Sequence, residues 1–392
     1  MKQAKKKKKI VWQQYIGAVF MMLIGAVCGF VMAEYLFLSS EDYPIYGKIL
    51  SLAGLFLGMY VAFFFHIIVH EAGHLLFGLM TGYKFSSFRI ASFIWLEENG
   101  KLKMKRLSIV GTGGQCLMSP PDMKDGRIPI VLYNLGGSII NIIMGALFLI
   151  IYWLCPSVTF LSPLLLIFAA VGFMSAIMNG IPMRMGMVDN DGYNAFALSR
   201  NREALEAFWV QLKVAAENAK GIRLKDMPAE WFEVPTDEAM KNSMVATRGV
   251  FAVNKLMDEE KFEDADALMA HLLEIESGIV GLHRSLMICD RVFLELIGQN
   301  RREVAEKMLT NEQKKFMKAM KRFPSVLRCE YAVALLLGND ALKAEKIKND
   351  FEKAAKSYPY PHEIDSERDL MRIAERKSYT ESETKELQKY EV

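Results

Sequence analysis

Cysteine and histidine are scarce in this 392-residue chain, with five of the first and six of the second. Cys28, Cys116, Cys155, Cys289 and Cys329 form no CxxC pair and no even framework, which excludes a disulfide scaffold and a cysteine zinc site. Charge is missing from long stretches: between Ile128 and Met183 there is no Asp, Glu, Lys or Arg. Basic clusters are also few. The one strong run, MKQAKKKKKI, sits directly before an apolar segment, so nucleic acid is excluded as a partner. Against these absences stands a hydrophobic content of 52%. That is too high for a soluble enzyme of this size and too low for a chain embedded in lipid throughout. The length suits two or three domains. The first 200 residues carry 17 Lys+Arg and 10 Asp+Glu, and the other 192 carry 31 and 35. A basic membrane half followed by an acidic soluble half is expected.

A helix crosses a bilayer in about 20 residues, and the apolar stretches give four spans. The first is 15–37, with only Glu34 inside it; the second is 49–80, with no charge between Lys48 and Glu71. The charge-free run of 56 residues is too long for one helix and divides at Cys155-Pro156-Ser157 into 129–153 and 158–181. A secretory signal is the competing reading of the N-terminus, but its apolar core runs to about 7–15 residues, so an uncleaved anchor is expected. Lysines beside a first span hold that end in the cytosol. Residues 38–47 contain no Lys or Arg, whereas 82–127 contain eight. Both termini and the 82–127 loop are therefore expected in the cytosol of a multi-pass membrane protein, here taken to be bacterial.

Within that loop, Tyr83 to Trp95 is rich in Phe, Ile and Ser, and Lys101 to Val110 alternates basic with apolar residues. Glu98-Asn99-Gly100 is a hairpin turn signal, so a hairpin over 83–108 is predicted. Gly111-Thr112-Gly113-Gly114 and Pro120-Pro121 read as breaks in regular structure.

At the end of the second span the chain reads HIIVHEAGHLLFGLMTG. His70 and His74 are four apart, one helical turn on one face, with Glu71 beside them. Two neutral imidazoles in that arrangement hold one Zn²⁺, and the carboxylate can take a proton from water on the metal. A structural histidine pair is the alternative, but ionisable groups at membrane depth are costly and mark function. His66, a turn earlier, is either a substitute ligand or a packing residue behind the ligands. A catalytic zinc needs a third protein ligand, and the fourth span ends in NGIPMRMGMVDNDGYNA. Asn179 and Pro182 break the helix there. Asp189 and Asp191 follow, readable as helix caps or, beside a zinc pair, as ligands.

These motifs together resemble the site-2 protease family of intramembrane zinc metalloproteases over about residues 50–195. HEAGH with Gly78 and Gly82 is similar to the family's first core helix, and LGGSIINI, with Gly137 and Asn141, to its middle one. NGIP…NDG is similar to the third. Ser138 stands where the family has Pro, Asn190 where it has Leu, and Pro182 lies farther from Asp191 than usual. The resemblance implies Asp191 as the third zinc ligand, since Asp191-Gly192 matches the motif. It also implies that Asn141 hydrogen-bonds substrate or the oxyanion, an interhelical hydrogen bond being the alternative.

From residue 201 apolar residues recur at helical spacing in 203–218, 240–257, 261–279, 282–298, 301–321, 326–338 and 341–357. KFEDADALMAHLLEI and FPSVLRCEYAVALLLGNDALKAEKIKNDFEKA resemble tetratricopeptide-like hairpins, without a strict 34-residue period. Stacked helical pairs of this kind either present a partner surface or only stabilise the protein.

The fold expected is thus an all-α membrane protein of four transmembrane helices with a small cytosolic β-hairpin, followed by a soluble α-helical repeat-like domain. Its parts are a polybasic N-terminus (1–14), a four-span domain (15–200), the helical domain (201–376) and a polar tail (377–392). The function expected is zinc-dependent cleavage of transmembrane or membrane-associated peptides near the cytosolic face, with Glu71 as base, His70, His74 and Asp191 on one zinc ion, and a protein partner at the helical domain. The competing function is a non-proteolytic membrane receptor or scaffold acting through that helical domain.

Overall fold

A computed structural model describes residues 13–38, 44–98, 101–107, 113–155, 160–185 and 188–390 of the chain. The polybasic residues 1–12, the 39–43 loop, Asn99-Gly100 of the expected turn, Gly111-Thr112 and Pro156-Ser157 lie outside them.

Long runs without charge or internal proline breaks give four long helices: α1 (Gln13–Leu38), α2 (Ile45–Met80), α3 (Ile130–Leu154) and α4 (Leu161–Gly180). Each is long and apolar enough to cross a membrane. Helix α2 has 36 residues, or about 54 Å at 1.5 Å per residue, well beyond the roughly 30 Å of a hydrocarbon core. Large apolar side chains such as Phe30, Leu57, Tyr60 and Trp153 point outward and exposed, the belt that lipid would cover. Inward, Ile24, Cys28 and Met32 of α1 pack with Leu55 and Ala62 of α2 and Ile167 and Val171 of α4. Helix α4 stops at Gly180, where Asn179 and Pro182 were expected to end it.

The β region departs from the expected hairpin. Ala91 adopts a left-handed conformation (φ 51°), and this breaks the stretch read as one strand into β1 (Lys84–Ile90) and β2 (Phe93–Glu98). Strand β2 pairs antiparallel with β3 (Lys101–Arg106), Glu98 opposite Lys101. A fourth strand, β4 (Gly114–Ser119), arises where glycines and prolines suggested irregular chain, and it pairs antiparallel with β1. Gly113 and Pro120 flank it; its own residues, GQCLMS, run from part-exposed to alternately buried, with Cys116 and Met118 inside.

The chain divides into two compact units, Met1–Ile90 with Gly111–Arg202, and Ala91–Val110 with Glu203–Val392. The first closes with a short ribbon, β5 (Arg184–Met185) and β6 (Val188–Asp189), and helix α5 (Asp191–Leu198). The second holds β2–β3 and nine α-helices among its described residues. These are α6 (Arg202–Ala219), α7 (Ser243–Asp258), α8 (Phe262–Glu274), α9 (Gly281–Ile297), α10 (Arg302–Met308), α11 (Asn311–Ala319), α12 (Pro324–Ala332), α13 (Ala341–Ala355) and α14 (Pro361–Tyr390). The β2–β3 ribbon is tied to these helices by Arg106 N–H to Ser357 O (3.2 Å) and Lys105 Nζ to Pro359 O (3.3 Å). The segment read as one helix over 301–321 is two, because the Thr310 side chain caps a new helix by accepting from Gln313 N–H. The polar tail after Arg376 continues α14 to Tyr390.

Candidate metal centre

Helix α2 places His66, His70 and His74 on one face at intervals of one turn, all buried. Room for them comes from glycine. A Cβ on Gly137 of α3 would lie 2.5 Å from the His70 ring, and one on Gly172 of α4 would lie 2.5 Å from His66. The backbones of α2 and α3 meet at Gly73 and Gly136, where a Cβ on Gly73 would fall 2.4 Å from Gly136 O. Small residues at such crossings are how membrane helices approach closely.

Asp191 reaches this face from the other end of the unit. Asn190, the cap of α5, accepts from Met183 N–H (3.0 Å) and Tyr193 N–H (2.9 Å) and donates to Met178 O (2.7 Å) and Ile181 O (2.6 Å). Three of these bonds tie Asn190 to the end of α4 and the chain just after it, and the fourth caps α5. Gly192 completes the join, since a Cβ there would lie 2.2 Å from Gly180 O. Asp191 is thereby the first residue of α5, where the helix dipole also favours a carboxylate.

The result is a compact donor set. His70 Nε2 lies 2.9 Å from Asp191 Oδ2, His74 Nε2 lies 3.4 Å from the same oxygen, and the two Nε2 atoms are 3.1 Å apart. Tetrahedral zinc with bonds of about 2.0–2.2 Å sets its donors roughly 3.3 Å apart, so the three residues fit one such ion. Two imidazoles and a carboxylate are also a donor set found at catalytic zinc sites. Burial works to raise the Asp191 carboxyl, but His74 and His70 beside it outweigh burial and hold it below the usual carboxylate range. Among the described residues these three are the group that could hold a metal. Asp189 lies on β6 opposite Arg184, outside the group.

Around the donors, His74 Nδ1 donates to Tyr133 O (2.7 Å), which leaves its Nε2 lone pair for the cluster. The fully buried Asn141 side chain lies between two histidines, 3.1 Å from His66 Nδ1 and 3.4 Å from His70 Nδ1. His66 Nε2 in turn donates to Phe168 O (2.8 Å). Glu71 is buried next to β4: a Cβ on Gly114 would lie 2.5 Å from its Oε1. Arg89 of β1, 1% exposed, donates from Nη2 to Gly114 O (3.1 Å) and so fixes the strand that lies against Glu71.

A family model described as Peptidase family M50 matches residues 58–352, about three-quarters of the chain. The chain belongs to Peptidase family M50. Membership makes it a membrane metalloprotease, a hydrolase of peptide bonds, in the site-2 protease family. Among curated proteins and solved structures no match was found. The M50 match begins in α2 and runs through most of α13, so it takes in both the histidine helix and much of the C-terminal helical unit.

Two features of this M50 centre escaped the sequence. Arg89 is a lone arginine in a Phe/Ile/Ser strand, a signal that could have marked it as an inward-facing charge. Asn190 looked like a departure from the family pattern, yet it is the staple that delivers Asp191.

Proposed function

We propose that this M50 protein is an intramembrane zinc endopeptidase that cuts transmembrane or membrane-associated peptides near the cytosolic face. The observation that carries the reading is the meeting of His70, His74 and Asp191 within one donor triangle, with Glu71 buried beside it. Zinc held there supplies Lewis acidity that brings the pKa of water towards neutrality. Glu71 accepts the proton of the attacking water and returns it to the leaving amine nitrogen.

The tautomers of the histidines follow from their partners. A carbonyl can only accept, so His66 carries its proton on Nε2 towards Phe168 O. As placed, Asn141 Oδ1 faces His66 Nδ1 and its Nδ2 faces His70 Nδ1; a neutral His66 accepts at Nδ1, so the amide turned by half, which fits equally well, donates its NH₂ to His66 and accepts from the Nδ1–H of His70. That arrangement frees His70 Nε2 for the metal. It makes Asn141 and His66 positioning residues, with both polar atoms of Asn141 already committed to histidines.

The substrate enters as a strand. Strand β4 pairs with β1 on one side and has no strand on the other among the described residues, and it starts against Glu71. An unwound segment added to that open edge would run past the base. The lysine-rich N-terminus and the eight basic residues of 82–127 support a cytosolic entry side. The C-terminal helices would lie on that side too, as a repeat-like domain offering a partner surface.

The deciding experiment compares membrane proteomes of cells carrying wild type and Glu71→Gln. Loss of a general base costs about 10²–10⁴ in rate, so the variant should retain zinc and accumulate single-span precursors. A receptor or scaffold would keep its phenotype in Glu71→Gln, and that outcome would reject the protease reading.

A further inference from the structure

The C-terminal unit contains a cavity of about 330 Å³, at the lower end of the range for small-ligand sites, between helices α6, α7, α9, α12 and α14. Its lining is unusual for a helical interior. It carries four carboxylates, Asp258, Asp290, Glu363 and Glu367, and only two guanidinium groups, Arg223 and Arg328.

The pairing of these charges is incomplete on both signs. Arg223 is taken up by Asp258 (3.0 Å) and by Asp369 (2.9 Å). Arg328, 1% exposed, donates from Nε to Glu367 (2.5 Å) and from Nη2 to Asp290, and its plane sits over the Phe293 ring. Its Nη1 has no hydrogen-bond partner. A buried guanidinium donor left open costs free energy and marks a place for an acceptor. Glu363 has the complementary defect. Its carboxylate accepts only from neutral groups, the Asn218 amide and the Tyr358 hydroxyl (2.8 Å). Burial pushes its carboxyl up to about 7, against the lowering effect of the Tyr358 and Asn218 hydrogen bonds and with a smaller upward push from the Glu367 charge. Burial also keeps His283 on the lining below its ordinary pKa, so it supplies no compensating charge at neutral pH.

Glu363 and Glu367 are four apart on α14 and share a face, with Cβ atoms about 5–6 Å apart. Arg328, held on Glu367 through Nε, lines the same cavity as Glu363. We propose that this cavity binds a small zwitterion, a free amino acid or a dipeptide, with its ammonium group on Glu363 and its carboxylate on Arg328 Nη1. Leu224, Phe251, Leu286 and Leu370 supply apolar wall for a side chain. Such binding is separate from peptide cleavage and its readout needs no activity.

The test is equilibrium dialysis of the full-length protein in detergent, read by mass spectrometry, against three pools. One holds the twenty free amino acids, the second all dipeptides of Ala, Leu, Phe and Ser, and the third the same dipeptides acetylated and amidated at their ends. The expected result is enrichment from the first or second pool, which tells the two sources apart, and none from the third. Glu363→Gln, which keeps the side chain's shape, should lower that enrichment at least tenfold with an unfolding midpoint no lower than that of wild type. Arg328→Lys, which keeps the charge and removes Nη1, should do the same. No enrichment over a detergent blank, equal retention of blocked dipeptides, or unchanged retention by Glu363→Gln would overturn the proposal.

Discussion

At the scale of single residues, the third ligand gives the sharpest contrast. Asp191 stands within 3.4 Å of both imidazole Nε2 atoms, while Asp189, two positions earlier, lies on β6 opposite Arg184. Asp191→Asn should therefore lose most bound zinc and all cleavage, and Asp189→Asn should keep both, as measured by metal content beside His70→Ala. The groups behind the ligands make a second prediction. Outer partners of metal-bound histidines typically matter by 10–100-fold in affinity. Asn141→Ala and His66→Ala should each weaken zinc binding by about that factor, read by competition with a chelator. The histidine pair and its glutamate were legible because their spacing is itself the chemistry: four residues apart on a helix is one face. The His66–Asn141–His70 chain was not legible, since its members lie 75 and 71 residues apart and only helix packing joins them.

At the scale of elements, the helices were readable and the strands only partly so. Charge-free runs of more than twenty residues have one stable solution in lipid, and α1 to α4 occupy those runs. Strand breaks depend instead on single backbone conformations, such as the left-handed Ala91 that divides β1 from β2. Strand β4 was hidden because glycine next to a strand reads as a turn, whereas here Gly114 is required by the close approach of Glu71. If β4 receives substrate, proline substitutions scanned across Gln115–Met118 should impair cleavage and leave zinc content intact. Unchanged turnover at all four positions would remove strand addition at this edge. Gly137→Ala tests the helix crossing: with the new methyl 2.5 Å from the His70 ring and 2.6 Å from its Nε2, it should cost zinc binding although no ligand residue is replaced.

For the molecule as a whole, stability in the C-terminal unit should depend on pH through Glu363. Its folded carboxyl is held near 7, above the ordinary 4.5, so the folded state binds the proton more tightly than the unfolded chain. The stabilisation is complete below about pH 4.5 and is lost as pH rises through 7. Denaturant unfolding of wild type against Glu363→Gln should show the difference between them shrinking from pH 8 to pH 5. A difference independent of pH would contradict the shift.

The metal centre also closes a very long loop. His70 and Asp191 are 121 residues apart, and the staple at Asn190 fixes the second of them to the end of α4. A zinc ion that binds the assembled site and not the unfolded chain joins the two ends only in the folded state, and stabilises that state by mass action in proportion to how far its concentration exceeds its dissociation constant. Zinc would then be a clasp as well as a catalyst. Stripping it with a chelator should lower the melting temperature of the full-length protein in detergent, and should do so equally in Glu71→Gln, where no turnover remains to be lost.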